Sequence, residues 1–589
     1  MLTTLTAPAF AKTWDIADGD ITVKAGDTGN DVTQKGETTY GDTDTIITNQ
    51  NKDIASSNTV TIETNDKNDK VEVTLKDVNI NVGSDSGSAL TSNGDVTLTL
   101  KGDNSLTGGN GGSGISSSGS LTITGGEKDS LTAQGGSGRS GIFSSGGVTI
   151  SGGTVNATGG SSGSDSGDGI HSGSLTMKGG TVNAKGGSGA DGGSGIRTFS
   201  SGGVTISGGS TVNATGGDAS DKDASAGGSG ILIFGSGSLT VSDSTVTATG
   251  GNGGSARGSH GGNGISGKGS LTVSGGTVTA TGGDGCSGSY SDGGIGISSS
   301  SGGVTIYGGT VTATGGKSGS GDYSNGGNGI SSSGSLSISG GTVTATAGSS
   351  SGSYGRDGIT TSSSLTISGG TVTANGGSGS YRGGSGIHSR SDIDLSGSLE
   401  LTAKAGSPNG KALSQNGIEL DPNTFKEKLD PGANIITKDA DGKVIDQVSI
   451  PRPVEPEGPV IPEESSSSSD SGSSTPSADG GSATPSAPAS PLPGLTVTDK
   501  DGQRISYTSI RGNNVLSIRA GRFTASLRVS LAALRQLRAE GIDTITFRTV
   551  LCSTTLSVDE LLAMGGEDAE VVLTHHIRSS TLTVGGKAV

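Results

Sequence analysis

Apolar and polar residues alternate in short phrases along most of this chain, and the phrases recur in a fixed order. Leu-Thr-Val-Ser-Gly-Gly at 271–276 is followed by Thr-Val-Thr-Ala-Thr-Gly-Gly at 277–283. The pair returns as Val304-Thr-Ile306 then Val311-Thr-Ala313, and as Leu365-Thr-Ile367 then Val372-Thr-Ala374. A Gly-Ile dipeptide recurs ahead of these pairs, with Ile at 115, 142, 170, 196, 231, 265, 297, 330, 359, 387 and 418, spaced by 26 to 35 residues. Alternation of period two marks a strand with one buried face. Ser-Gly-Gly between the phrases marks a turn in which glycine takes a positive φ. Each repeat therefore offers three short strands, which is one coil of a parallel β-helix. Stacked coils would set Ile on Ile, Leu on Val and Ala on Ala, with backbone hydrogen bonds running coil to coil at ~4.8 Å. One such coil is not stable alone, but ten or more sum their neighbour interfaces.

Repeat length varies only between Ala-Thr-Gly-Gly and the next Gly-Ile, in inserts such as 161–168 and 218–225. Stacking gathers these inserts on one edge, where repeat scaffolds keep their binding function. The outward threonines of Thr-Val-Thr-Ala-Thr form a second array, a pattern that can suit ice, but Asn at 156, 183 and 213 breaks it.

The flanks differ. Residues 12–110 hold longer strands, such as Val71–Leu75 and Val96–Leu100, and Trp14; they read as an N-terminal cap with the first atypical coils. Residues 111–450 hold the repeats and end in a hairpin signal, Asp441-Gly442 between two apolar runs, that reads as a C-terminal cap. Residues 451–493 are a Pro/Ser/Glu-rich linker. In 494–589 glycine falls and Leu and Arg rise. Helices at 530–539 and 557–562, each with a serine N-cap, and strands at 515–519, 544–550, 571–575 and 581–584 predict a small α+β module.

Composition supports the thin core. Of 589 residues 114 are glycine, 28% are hydrophobic and 3% aromatic, too few apolar groups for an ordinary interior. The net charge of −17 would repel phosphate backbones, so nucleic acid is not an expected partner. No run approaches the ~20 apolar residues of a membrane helix. Residues 1–11 end in Ala9-Phe10-Ala11, which reads as the tail of a secretory signal and predicts a secreted or cell-surface protein. The two cysteines, Cys286 and Cys552, form neither a disulfide framework nor a zinc spacing.

The run from Val96-Thr-Leu-Thr-Leu100 through Gly-Ser-Gly-Ile115 to the Gly-Gly-Thr-Val-Thr-Ala-Thr-Gly-Gly repeats resembles bacterial cell-surface proteins of the carbohydrate-binding, right-handed β-helix repeat type, found in Gram-positive gut bacteria. The resemblance covers about residues 14–450 and rests on core and turn positions. It implies a right-handed, non-catalytic surface scaffold that binds polysaccharide, sometimes with calcium, and it carries over no ligand-contacting residue.

Four tyrosines stand in successive inserts: Tyr290, Tyr323, Tyr354 and Tyr381 precede the next anchor isoleucine by 7, 7, 5 and 6 residues. Similar offsets should bring the rings together on one edge, where sugar rings could stack. Arg356 and Arg382 lie beside two of them and suit the carboxylates of uronic acids. Packing of each ring within its own insert is the competing reading. The insert aspartates Asp165, Asp168, Asp218, Asp221 and Asp223, with Asp191, Asp292 and Asp322, offer oxygens for calcium, against the simpler reading of solvated loop charge. Catalysis finds little support, because carboxylates are confined to inserts that read as flexible, while His171 and His388 each follow an anchor singly. The sequence thus favours a non-catalytic extracellular polysaccharide-binding or adhesion protein. A rigid spacer displaying the C-terminal module is the alternative, and a polysaccharide lyase or hydrolase a minor one.

Overall fold

In the computed structural model, residues 12–64, 70–199, 201–220, 225–452 and, with short interruptions, 494–588 are described. The signal-like residues 1–11 and linker residues 453–493 lie outside them. The chain divides into two units, Met1–Arg452 and Pro453–Val589.

Alternation does in the first unit what it predicts. In Thr277–Thr281, Val278 and Ala280 are fully buried while the threonines face outward. In register, Val278 pairs with Val311, and Ala280 with Ala313. Every coil repeats this on three faces. One carries the Gly-Ile strands, the second Leu-Thr-Ile, and the third Thr-Val-Thr-Ala-Thr. The third face is a continuous sheet of 14 strands. The other two are joined into one sheet by strands Ile142–Ile150 and Ile170–Met177, which pass through the corner without a break. The result is a right-handed parallel β-helix of about 16 turns. Its core is a column of Ile, Leu, Val and Ala one coil wide. On the third face Asn156, Asn183 and Asn213 stack in register and bond as an amide ladder, at 2.8 Å and 2.9 Å.

Both ends of the column are covered. At the N-terminus Ile21–Ala25, Asn30–Gln34 and Glu37–Asp42 pair antiparallel, and buried Trp14 donates its indole N–H to Asp42 at 3.0 Å. At the C-terminus Asn434–Lys438 adds the last parallel strand of the third face, and Val444–Ser449 turns back on it through Gly442. The 3-10 segment Pro422–Lys428 packs Phe425 beneath.

Two sequence readings change. Ile418 is not an anchor: it is exposed, in an antiparallel strand pair, and Leu413 takes the rung beside Ile387. The glycines divide by task. Those before the third strand, Gly276, Gly309, Gly341 and Gly370, have φ near +80°, as a turn requires. Those at the base of the inserts do not; at most of them a Cβ would meet the backbone of the neighbouring coil, while Arg139 and Arg356 take the equivalent position in two coils. The amide of Gly262 donates to Gly251, Gly283 to Gly262, Gly294 to Gly283 and Gly316 to Gly294, all at 2.8 Å. This zig-zag ladder ties the entry and exit of every insert to the coils on either side.

The second unit holds helices Leu531–Ala539 and Val558–Met564 with a five-stranded and a four-stranded sheet. Ser530 caps the first helix, accepting the Ala533 amide at 3.2 Å. Strands Val515–Arg519 and Thr544–Arg548 run parallel. Buried His575 joins elements of both sheets, lying within hydrogen-bond distance of Thr549 and Thr554 and against Phe547. Cys552 lies outside the described residues.

Candidate functional site

The inserts are built structures. Their backbones continue the coil-to-coil ladder: Tyr290 donates to the Asp322 carbonyl at 2.9 Å, and Gly258 to that of Ser289 at 2.9 Å. Beneath the rings runs a buried line of hydroxyls, Ser259, Ser291 and Ser324. The Ser291 amide donates to Ser324 Oγ at 2.9 Å, and buried Cys286 lies 3.1 Å from Ser291 Oγ. The thiol thereby packs and bonds within its insert.

On this base the structure brings the tyrosines together in two pairs. Tyr290 and Tyr323 stack with centroids 5.1 Å apart and planes 15° from parallel. Tyr354 and Tyr381 lie 6.2 Å apart, tilted by 37°. All four are exposed, from 44% for Tyr290 to 70% for Tyr381. Arg257, one coil earlier, lies 4.9 Å over the Tyr290 ring and extends the row, a contact the offsets did not announce. Arg356 and Arg382 are exposed beside the second pair, and Tyr354 and Arg382 are bridged across neighbouring coils.

Tyr290 and Tyr323 also have φ near +60°. The left-handed region costs a side-chain-bearing residue roughly 1–2 kcal/mol. In the preceding coil the same turn position, seven residues before the anchor, is Gly258 with φ +74°. Glycine is what this backbone suits, and two consecutive coils place a ring there.

The acidic inserts have a different employment from the one expected. Asp168 Oδ1 accepts the Ser194 amide at 2.7 Å, Asp191 that of Ala226 at 2.8 Å, Asp218 that of Asn252 at 2.7 Å and Asp292 that of Asn325 at 2.7 Å. Each carboxylate satisfies a backbone donor of the next coil. Asp165 is exposed opposite Asp191, and Asp322 contributes its carbonyl to Tyr290. Asp221 and Asp223 lie outside the described residues. Among the described residues, no three His, Cys, Asp or Glu side chains gather as a metal would need. Where the third face meets the inserts, Lys185, Asp218, Asn252 and Asp284 line a polar groove of about 370 Å³.

A second cluster escaped the sequence reading. On the Gly-Ile face, Phe143, His171, Arg197 and Leu232 occupy one outward column in register. Phe199 and Phe234 follow their strands in the adjoining turn. His171 meets Phe143 and Phe199 edge-on, at 5.6 Å and 5.1 Å, and its Nδ1 lies 3.2 Å from buried Asp168. The signal was available: three of the seven phenylalanines fall within this stretch, though at unequal offsets from their anchors.

Burial pushes the Asp168 carboxyl up to about 6, against the Ser194 amide and Arg197, which pull it down. Burial, then Arg197, holds His171 down to about 4. The two pull stability in opposite directions. Asp168 contributes stability that is full below 3.8 and lost as pH rises through 6. His171 contributes stability that is full above 6.5 and lost as pH falls towards 4. His171→Gln removes the second slope alone. Between pH 7 and pH 4 this variant should gain stability relative to wild type, on the order of 1–2 kcal/mol once solvent screening of the partly exposed ring is allowed for. Paired thermal melts across that range measure it; a pH-independent difference would contradict the assignment.

Against known proteins, four stretches match the Beta helix repeat family model: residues 148–174, 271–296, 336–356 and 365–389. Each match begins at or within a second-face strand, and three of the four extend to the anchor region of the next coil. No curated protein and no solved structure gives a significant match. With the strand registers above, these matches make the chain a parallel β-helix repeat protein.

Proposed function

We propose that this is a non-catalytic extracellular protein that binds polysaccharide, or adheres through it, with the tyrosine-bearing inserts of its β-helix. The observation that carries this reading is the placing of Tyr290 and Tyr323, as a stacked exposed pair, at turn positions whose backbone suits glycine. Unfavourable backbone retained beneath exposed rings is common at ligand sites. Flat rings in a row offer apolar faces to sugar rings, with the guanidinium groups of Arg257, Arg356 and Arg382 alongside for acidic sugars. A passive spacer needs none of these. Secretion accords with the signal-like residues 1–11.

The test is a glycan array probed with the full chain, with and without a calcium chelator. Binding should be retained by wild type and lost when Tyr290, Tyr323, Tyr354 and Tyr381 are all alanine, with unchanged far-UV circular dichroism. Equal binding by that variant would refute the tyrosine site. Silence of the folded wild-type protein across the array would favour the spacer. New reducing ends in the bound glycan would favour a lyase or hydrolase. Loss of binding in chelator would bring the acidic inserts back as calcium ligands.

A further inference from the structure

We propose a second ligand site on the Gly-Ile face, around Phe234, that takes uronic-acid-containing polysaccharide; it rests on the polysaccharide reading above. Phe234 is 53% exposed. Arg197 approaches its ring at 5.3 Å from the preceding coil, and Lys268 approaches it at 5.3 Å from the following one. Neither cation has a hydrogen bond or ion pair among the described residues, and Arg197 Nε is buried without a partner. Leu232 takes the rung after Arg197.

The rest of this column beyond Leu232 is polar and, His388 apart, small. From Ser266 the outward residues read Ser298, Ser331, Thr360, then His388 and Ser414. The aromatic and cationic residues are therefore a local departure from the scaffold, confined to a few coils. Two positive charges over one ring without a hydrogen bond or close ion pair, Arg197 sensing only the more distant Asp168, are also unexpected in a chain of net charge −17. They call for an anion, and because Arg197 Nε is closed off, the open Nη groups of the planar guanidinium are what such an anion would meet with paired hydrogen bonds. A carboxylate does so. The ring calls for an apolar surface next to that anion. A uronic acid offers both within one residue, the carboxylate at the edge of a ring whose face is C–H. Phe234 stands in the coil before the one whose insert bears Tyr290, and Lys268 stands in that same coil, so one extended chain along the solenoid can engage both sites and gain avidity.

The variant is Phe234→Ala with Lys268→Ala, both exposed and outside the core. Arg197 is left in place because its charge acts on buried Asp168. The full-length variant, the four-tyrosine variant and wild type are compared by affinity electrophoresis in polygalacturonate, in a neutral β-glucan and in a sulfated glycan. The double variant should bind polygalacturonate at least tenfold more weakly, keep its β-glucan affinity and melt as wild type does. The difference should shrink in high salt. Unchanged polygalacturonate binding would overturn the site. Equal loss on β-glucan would overturn its charge selectivity, and preference for the sulfated chain over polygalacturonate would overturn the carboxylate assignment. Full binding by the four-tyrosine variant with loss in the double variant would refute the tyrosine row and leave this site standing. Absence of all binding by wild type would remove both.

Discussion

Gly294→Ala is expected to destabilise the solenoid by about 3 kcal/mol or more, though it adds a single methyl group. The new Cβ would stand 1.9 Å from the carbonyl oxygen of Gly262 and 2.6 Å from its carbon. Both atoms belong to the backbone of the preceding coil, so no side chain can swing aside. Nor can Gly294 retreat. Its amide donates to Gly283 and its carbonyl accepts from Gly316, both at 2.8 Å. Relief requires parting two coils at the base of the insert, which breaks the ladder on both sides. In a solenoid the nearest-neighbour interface is the source of stability, so the damage spreads along the stack. Gly163→Ala is the control: nothing lies within 4 Å of its Cβ position. It should change stability by less than about 0.5 kcal/mol. Urea melts followed by circular dichroism compare the two; equal midpoints would show that the insert bases yield more easily than their contacts imply.

The second large effect separates fold from function. Tyr290→Gly with Tyr323→Gly should abolish or severely weaken glycan binding while stability holds or rises. Glycine adopts φ near +60° without the clash of a Cβ, recovering roughly 1–2 kcal/mol at each position. Against this stands the lost ring stacking, about 0.5–1.5 kcal/mol for the pair, and some added freedom of the unfolded chain. The neighbouring coil shows that Gly258 serves the same turn. Thermal melts and glycan retention on the same samples decide it. A marked fall in melting temperature would mean that the rings hold the inserts together, and the binding reading would lose its main support.

The core of this protein was legible in its sequence because the core is nearly one-dimensional. Each buried side chain meets its own equivalent one coil away, so Val278 on Val311 and Ile297 on Ile330 follow from the repeat alone. The two tyrosine pairs were legible for the same reason: similar offsets from successive anchors, 7 and 7, then 5 and 6, lead to neighbouring positions. Where spacing breaks, sequence reasoning fails. Gly417-Ile418 looks like an anchor, yet the chain has already used Ala412-Leu413 on that rung, and only pairing with Ile387 reveals it. Phe143, Arg197, Phe234 and Lys268 come from four coils at two different offsets, so only stacking makes them one surface. The aspartates read as loop charge or calcium ligands because their partners are amides about 26 to 35 residues away, invisible to local pattern. The glycines are the sharpest case. Sequence explains a glycine that must turn, since φ is local. It cannot explain one that must make room, since the atom excluding its side chain belongs to another coil.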